Sequence, residues 1–167
     1  MKSILIYSLI FILIISSPAF GQCKYLKNEK DRFSGNQVIE TKGKVLRTGL
    51  NLNIAVQGRK VNDSKFLRIQ ILGGTVFSVT EGMKLDLLTT EGEVITLLSA
   101  EIIISDNLGI YLWSGFIHYY LPDEEASLLI GKKIEALRIH TVGNKYFEKD
   151  IKPKYQKNIS DIIKCIN

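Results

Sequence analysis

The chain has 167 residues, with 22 lysines and arginines against 17 aspartates and glutamates, for a formal net charge of +5. That length supports one hydrophobic core and implies no second. The basic residues are scattered apart from residues 149–157, which argues for a solvated surface and against a nucleic-acid or other polyanion partner.

Lys2, the apolar run 4–15, then Ser16, Ser17 and Pro18, then Ala19-Phe20-Gly21, follow one another in the order of a secretory signal. The expectation is a signal peptide over residues 1–21, cleaved after Gly21, ahead of a single β-rich domain over residues 22–167. The apolar run falls short of the roughly 20 residues that cross a bilayer, so the mature chain is expected to carry no transmembrane segment. Cys23 raises the alternative of a lipoprotein, but Phe20 and Gln22 stand where that signal uses small residues. The expected destination is therefore the periplasm or the medium. An even cysteine pair in an exported chain points to a disulfide, here Cys23 to Cys165, tying the two ends together. Thiols so far apart in sequence offer neither a Cys-x-x-Cys redox motif nor a metal site.

Residues 23–36 are polar and read as an irregular lead-in, and residues 37–46 as a strand. After Thr48-Gly49, Leu50, Leu52, Ile54 and Val56 alternate with Asn51, Asn53, Ala55 and Gln57, the period of an antiparallel strand with one wet face. Residues 58–64 read as a turn. Leu67, Ile69 and Ile71 then alternate with Arg68 and Gln70 up to Gly73-Gly74. Residues 75–79 make a short strand, residues 83–100 a β-hairpin, and Asp106-Asn107-Leu108-Gly109 a loop.

Residues 116–142 are the best-punctuated stretch. Phe116, His118 and Tyr120 fall on one face of a strand and Ile117, Tyr119 and Leu121 on the other, the pattern of an interior strand. Pro122 ends it, and Asp123, Glu124 and Glu125 suit the positive first turn of a short helix. Gly131 suits the position just past that helix, and Lys132 and Lys133 its negative end. Residues 136–140 form a half-buried strand closed by a Gly143-Asn144 hairpin turn, and residues 146–151 a last strand. From Pro153 on, Tyr155, Ile159, Ile162, Ile163 and Ile166 recur at helical spacing. The fold class is mainly β: an antiparallel β-sandwich or partly open barrel with one short helix and a C-terminal amphipathic helix.

No motif for a cofactor, metal or nucleophile is present. His118 and His140 lack a metal-ligand pattern, Ser114 lacks the leading glycine of a nucleophile elbow, and Gly73-Gly74-Thr75 lacks the lysine of a phosphate loop. Carboxylates are the one catalytic raw material in quantity. Asp86, Glu91, Glu93, Glu101, Asp106, Asp123, Glu124 and Glu125 could supply a glycosidase pair, although most fall in turns or at a helix start. Tyr111, Trp113, Tyr119 and Tyr120 are the candidate ligand face, against the alternative of buried aromatic packing.

Cys-Lys-Tyr-Leu-Lys-Asn-Glu-Lys-Asp-Arg-Phe-Ser-Gly over residues 23–35, Tyr-Tyr-Leu-Pro-Asp-Glu-Glu over 119–125, Lys-Ile-Glu-Ala-Leu-Arg-Ile over 133–139 and Ile-Ile-Lys-Cys-Ile over 162–166 resemble a group of small, uncharacterised exported bacterial proteins. The resemblance implies an extracytoplasmic setting and brings no activity or catalytic residues with it. The functional expectation is a non-enzymatic, exported β-rich module that binds an envelope protein, glycan or other envelope component. The alternatives are a small envelope-glycan hydrolase using paired carboxylates and a lipid-binding barrel.

Overall fold

In the computed structural model, residues 23–167 are described except for 51, 75, 110 and 111. The expected signal peptide lies outside the described residues. The described chain is mainly β, with thirteen strands and two short α-helices, and every strand pair is antiparallel.

The first sheet runs β1 (Tyr25–Lys30), β2 (Gln37–Thr41), β4 (Leu52–Val61), β5 (Ser64–Gly73), β11 (Leu112–Tyr120) and β10 (Asp106–Gly109), with β3 (Lys44–Arg47) also on β4. The second runs β13 (Lys145–Asp150), β12 (Ile134–Thr141), β7 (Lys84–Thr89) and β8 (Val94–Leu98). A two-residue pair, β6 (Ser78–Val79) with β9 (Ile103–Ile104), and an isolated Ser99–Tyr119 bridge lie outside these ladders. Among the described residues the strands do not close into a barrel.

Period-two alternation decides which face is buried. Ile54, Val56, Leu67, Ile69, Ile117 and Tyr119 of the first sheet and Leu85, Leu87, Leu97, Leu137 and Ile139 of the second belong to one hydrophobic cluster. Helix α1 (Asp123–Leu129) adds Ala126 and Leu129, and α2 (Asn158–Lys164) adds Ile159, Ile162 and Ile163. The spacing of those isoleucines is the helical stripe seen in the sequence, although a 3-10 turn, Pro153–Tyr155, precedes the helix proper.

Several elements depart from the sequence reading, for identifiable reasons. Residues 23–36 hold a strand, β1, held by backbone pairing to β2 with little burial and therefore no apolar alternation to betray it. Strand β4 continues to Val61 through the expected turn, because Gly58 is a point of close approach and not a corner. A Cβ there would stand 3.0 Å from side-chain atoms of Ile162 and Ile166, so the missing side chain lets α2 lie on the sheet. Leu50, expected inward, is fully exposed just before the strand begins. Residues 106–109 pair as an edge strand and not a loop. Lys132 does not serve the end of α1 but forms ion pairs with Glu91 and Glu93 in the β7–β8 turn.

Candidate functional site: the outer face of the first sheet

Cross-strand register sets the outer face of the first sheet in two rows. Glu40, Arg59, Phe66 and Tyr120 stand opposite one another across β2, β4, β5 and β11, and Gln57, Arg68 and His118 form the next row. Directly opposed residues share a face and interact. Here they do so unevenly.

Glu40 stands opposite Arg59 but bonds to Arg68, whose Nη1 donates to Glu40 Oε1 at 2.5 Å and, more weakly, to Gln57 Oε1 at 3.4 Å. The Arg68 guanidinium also lies over the Phe116 ring, 4.1 Å from its centroid, the geometry of a cation–π contact. Arg59 is left with neither a hydrogen bond nor an ion pair among the described residues, and its Nε is buried. Arg68 Nε and His118 Nε2 are likewise buried without a partner. A buried, unsatisfied polar atom costs about 1 to 3 kcal/mol, so three on one sheet face call for an explanation.

His118 owes its orientation to Glu101, which follows β8 and pairs with the ring through Nδ1. A carboxylate only accepts, so Nδ1 carries the proton. Burial pushes the His118 imidazolium down in pKa; Glu101 opposes that, and the Arg68 and Arg59 charges reinforce it. The lowered pKa favours the neutral ring, in which Nε2 is an acceptor, buried and without a partner among the described residues.

Arg59, Phe66, Glu101, His118 and Tyr120, with Asp63 and its neighbours at the β4–β5 turn, line an open cleft of about 580 Å³. The Phe66 and Tyr120 rings form one wall, their centroids 5.3 Å apart and tilted by 39°. The volume falls within the range of small-molecule sites. The cleft thus combines a guanidinium with no partner among the described residues, the His118 imidazole and an aromatic wall. Among the described residues no three His, Cys, Asp or Glu side chains are placed to hold a metal ion.

Of the four aromatic residues expected to form a ligand face, Tyr120 alone meets this cleft and is 45% exposed. Tyr119 is a correction: one residue earlier, it points to the opposite face and is wholly buried in the core, its hydroxyl without a partner among the described residues and burial raising its pKa. Trp113 is half-buried on that same inward alternation, opposite Gly73. Tyr111 lies outside the described residues. The carboxylates are dispersed: Asp86 serves His140 and Thr96, Glu91 and Glu93 serve Lys132, Asp123 serves Lys65, and Glu101 serves His118. His118 and His140 each pair with a separate carboxylate, Glu101 from the segment after β8 and Asp86 on the neighbouring strand β7.

Sequence reasoning missed Arg59, Arg68 and Phe66 as site residues. The signal was present in the alternation. Arg68 was already outward, and extending β4 by four residues puts Arg59 on the same side as Gln57. Cys23 and Cys165 are joined in a disulfide, with Cα atoms 5.6 Å apart. Against family models, curated proteins and solved structures, the chain shows no match.

Proposed function

We propose that the protein is an exported, non-enzymatic binding module of the bacterial envelope, and that the cleft on the outer face of its first sheet takes an acidic sugar of an envelope glycan. One observation carries this reading: Arg59 lines the cleft without an ion-pair or hydrogen-bond partner among the described residues, beside the Phe66 and Tyr120 rings. A sugar ring bearing a carboxylate would bring Arg59 a partner. The carboxylate accepts from the Arg59 guanidinium, and the apolar ring face packs on Phe66 and Tyr120 beside His118. The disulfide supports the exported setting, and no helix among the described residues is long and apolar enough to cross a membrane. The two sheets, which share one core, are read as the layers of a sandwich.

The hydrolytic alternative rests on Asp63 and Glu101, the two carboxylates that line the cleft. Binding is preferred because Glu101 is engaged by His118. Calorimetric titration with glucuronate and with glucose separates the readings. The module reading predicts saturable binding of glucuronate, weaker binding of glucose, and loss of glucuronate binding in Arg59→Met. Equal affinity for both sugars, or unchanged binding by Arg59→Met, would sink it, and turnover of an acidic oligosaccharide that Glu101→Gln abolishes would favour the hydrolase.

A further inference from the structure

We infer that the slot between the β12–β13 hairpin and the ends of β4 and β5 is a second binding site, for an amphiphile with one carboxylate head and an apolar tail. The slot holds about 450 Å³, with Leu52, Ile71, Val76 and Phe77 among its apolar walls, and is large enough for a small ligand. It shares no lining residue with the Arg59 cleft.

Strand β13 carries the inference. Lys145, Phe147 and Lys149 stand opposite Thr141, Ile139 and Leu137 of β12. Ile139 and Leu137 are core residues, so the three β13 side chains share the inward face, and all three line the slot. Two of the three positions on that face are lysines, Lys145 exposed at the slot's mouth and Lys149 half-buried within it, where an inward strand face is ordinarily apolar. Neither ammonium has an ion-pair or hydrogen-bond partner among the described residues, and no carboxylate lines the slot. Apolar walls alone would accept any hydrophobe. Two unpaired cations flanking Phe147 restrict the occupant to one that brings an anion at one end.

A rival explanation exists on the same strand. β13 is an edge of the second sheet, and inward-pointing lysines protect edges from pairing with another chain. The two accounts differ in what the lysines bind.

The test is calorimetric titration of decanoate and of decanol into the wild-type protein, Lys145→Gln/Lys149→Gln, Val76→Trp and Arg59→Met, with thermal melts to confirm folding. Decanoate is expected to bind wild type and Arg59→Met alike and saturably. Binding should weaken by about tenfold or more in the double lysine variant, since a charge-assisted contact is lost, and Val76→Trp should obstruct it while leaving the lysines intact. Decanol should bind more weakly than decanoate to wild type and be indifferent to the lysines. No saturable decanoate binding, or equal binding by wild type and the double variant, overturns the inference. Self-association of the double variant, with a wild type that ignores decanoate, would assign the lysines to edge protection instead.

Discussion

The outer faces of the two larger sheets carry much the same side chains and treat them in opposite ways. On the second sheet Thr96, Asp86, Arg138 and Glu148 stand opposite one another across four strands. Thr96 Oγ1 donates to Asp86 at 2.8 Å, His140 Nε2 lies 2.8 Å from the other Asp86 oxygen, and Arg138 Nε donates to Glu148 at 2.8 Å. Burial alone would raise the Asp86 carboxyl, but hydrogen bonds from His140 and Thr96, with the His140 and Arg138 charges, hold it below its ordinary value. Opposed partners satisfy each other there. On the first sheet Glu40 turns from its opposite number Arg59 to Arg68, and three buried nitrogens are left over. Equivalent polar content thus gives a finished surface in one place and an unfinished one in the other, and the unfinished one coincides with a cleft.

The largest effect expected bears on how far the two sheets are separately stabilised. The disulfide closes a loop with a sequence separation of 142, for which chain entropy gives at most about 5 kcal/mol. It joins the start of β1 to the end of α2, and α2 packs on β3 and β4. Cys23→Ser/Cys165→Ser should therefore lower stability by several kcal/mol, with amide exchange protection falling first in β1 to β4 and last in β7 and β12. Uniform loss across both sheets would erase the distinction.

A more pointed comparison uses one substitution on each face. Asp86→Asn removes the carboxylate from a satisfied network and should destabilise by about 1 to 2 kcal/mol. Arg59→Met removes a charge that has no partner among the described residues, so urea denaturation should show unchanged or increased stability, by up to about 1 kcal/mol. Equal destabilisation by the two variants would mean that Arg59 is structurally engaged after all. Between the sheets, Gly115 lies where a Cβ would meet Phe77 at 2.7 Å, and Gly115→Ala should cost about 1 to 3 kcal/mol through overpacking.

The smallest effects separate the faces by pH. His118 has a lowered pKa when folded, so the unfolded chain binds its proton more readily, and stability is lost as pH falls through and below about 6.5. Asp86 is also lowered, and its contribution is complete above about pH 4 and lost as pH falls further. Urea midpoints between pH 7 and 3 should show both decrements, the upper one flattened by His118→Asn and the lower by Asp86→Asn. A profile unmoved by either substitution would count against the burial and hydrogen bonding described for these groups.

The β framework was legible because burial follows period two: Leu67, Ile69 and Ile71 against Arg68 and Gln70, the hairpin of residues 83–100, and the Gly143-Asn144 turn, where both residues take positive φ. Elements without that asymmetry were not. β1 is exposed on both faces but for half-buried Lys27, and Gly58 has the composition of a turn while serving helix packing. The candidate site depends on a register that the sequence does not print. Arg59, Arg68 and His118 are joined by pairings between strands up to fifty-odd residues apart, and Glu101 reaches His118 through the bridge beside β8. Local alternation can say that Tyr119 and Tyr120 face opposite ways; only the buried side of the sheet says which of them meets a ligand.

The most direct test of the central claim is the side-chain NMR spectrum of the wild-type protein during titration with glucuronate, following the Arg59 Nε–H, the His118 ring and, as internal references, the His140 ring and Arg138 Nε–H. The account predicts saturable shifts at Arg59 and His118 with His140 and Arg138 unmoved. Stationary Arg59 and His118 resonances, or equal shifts on both faces, would contradict it.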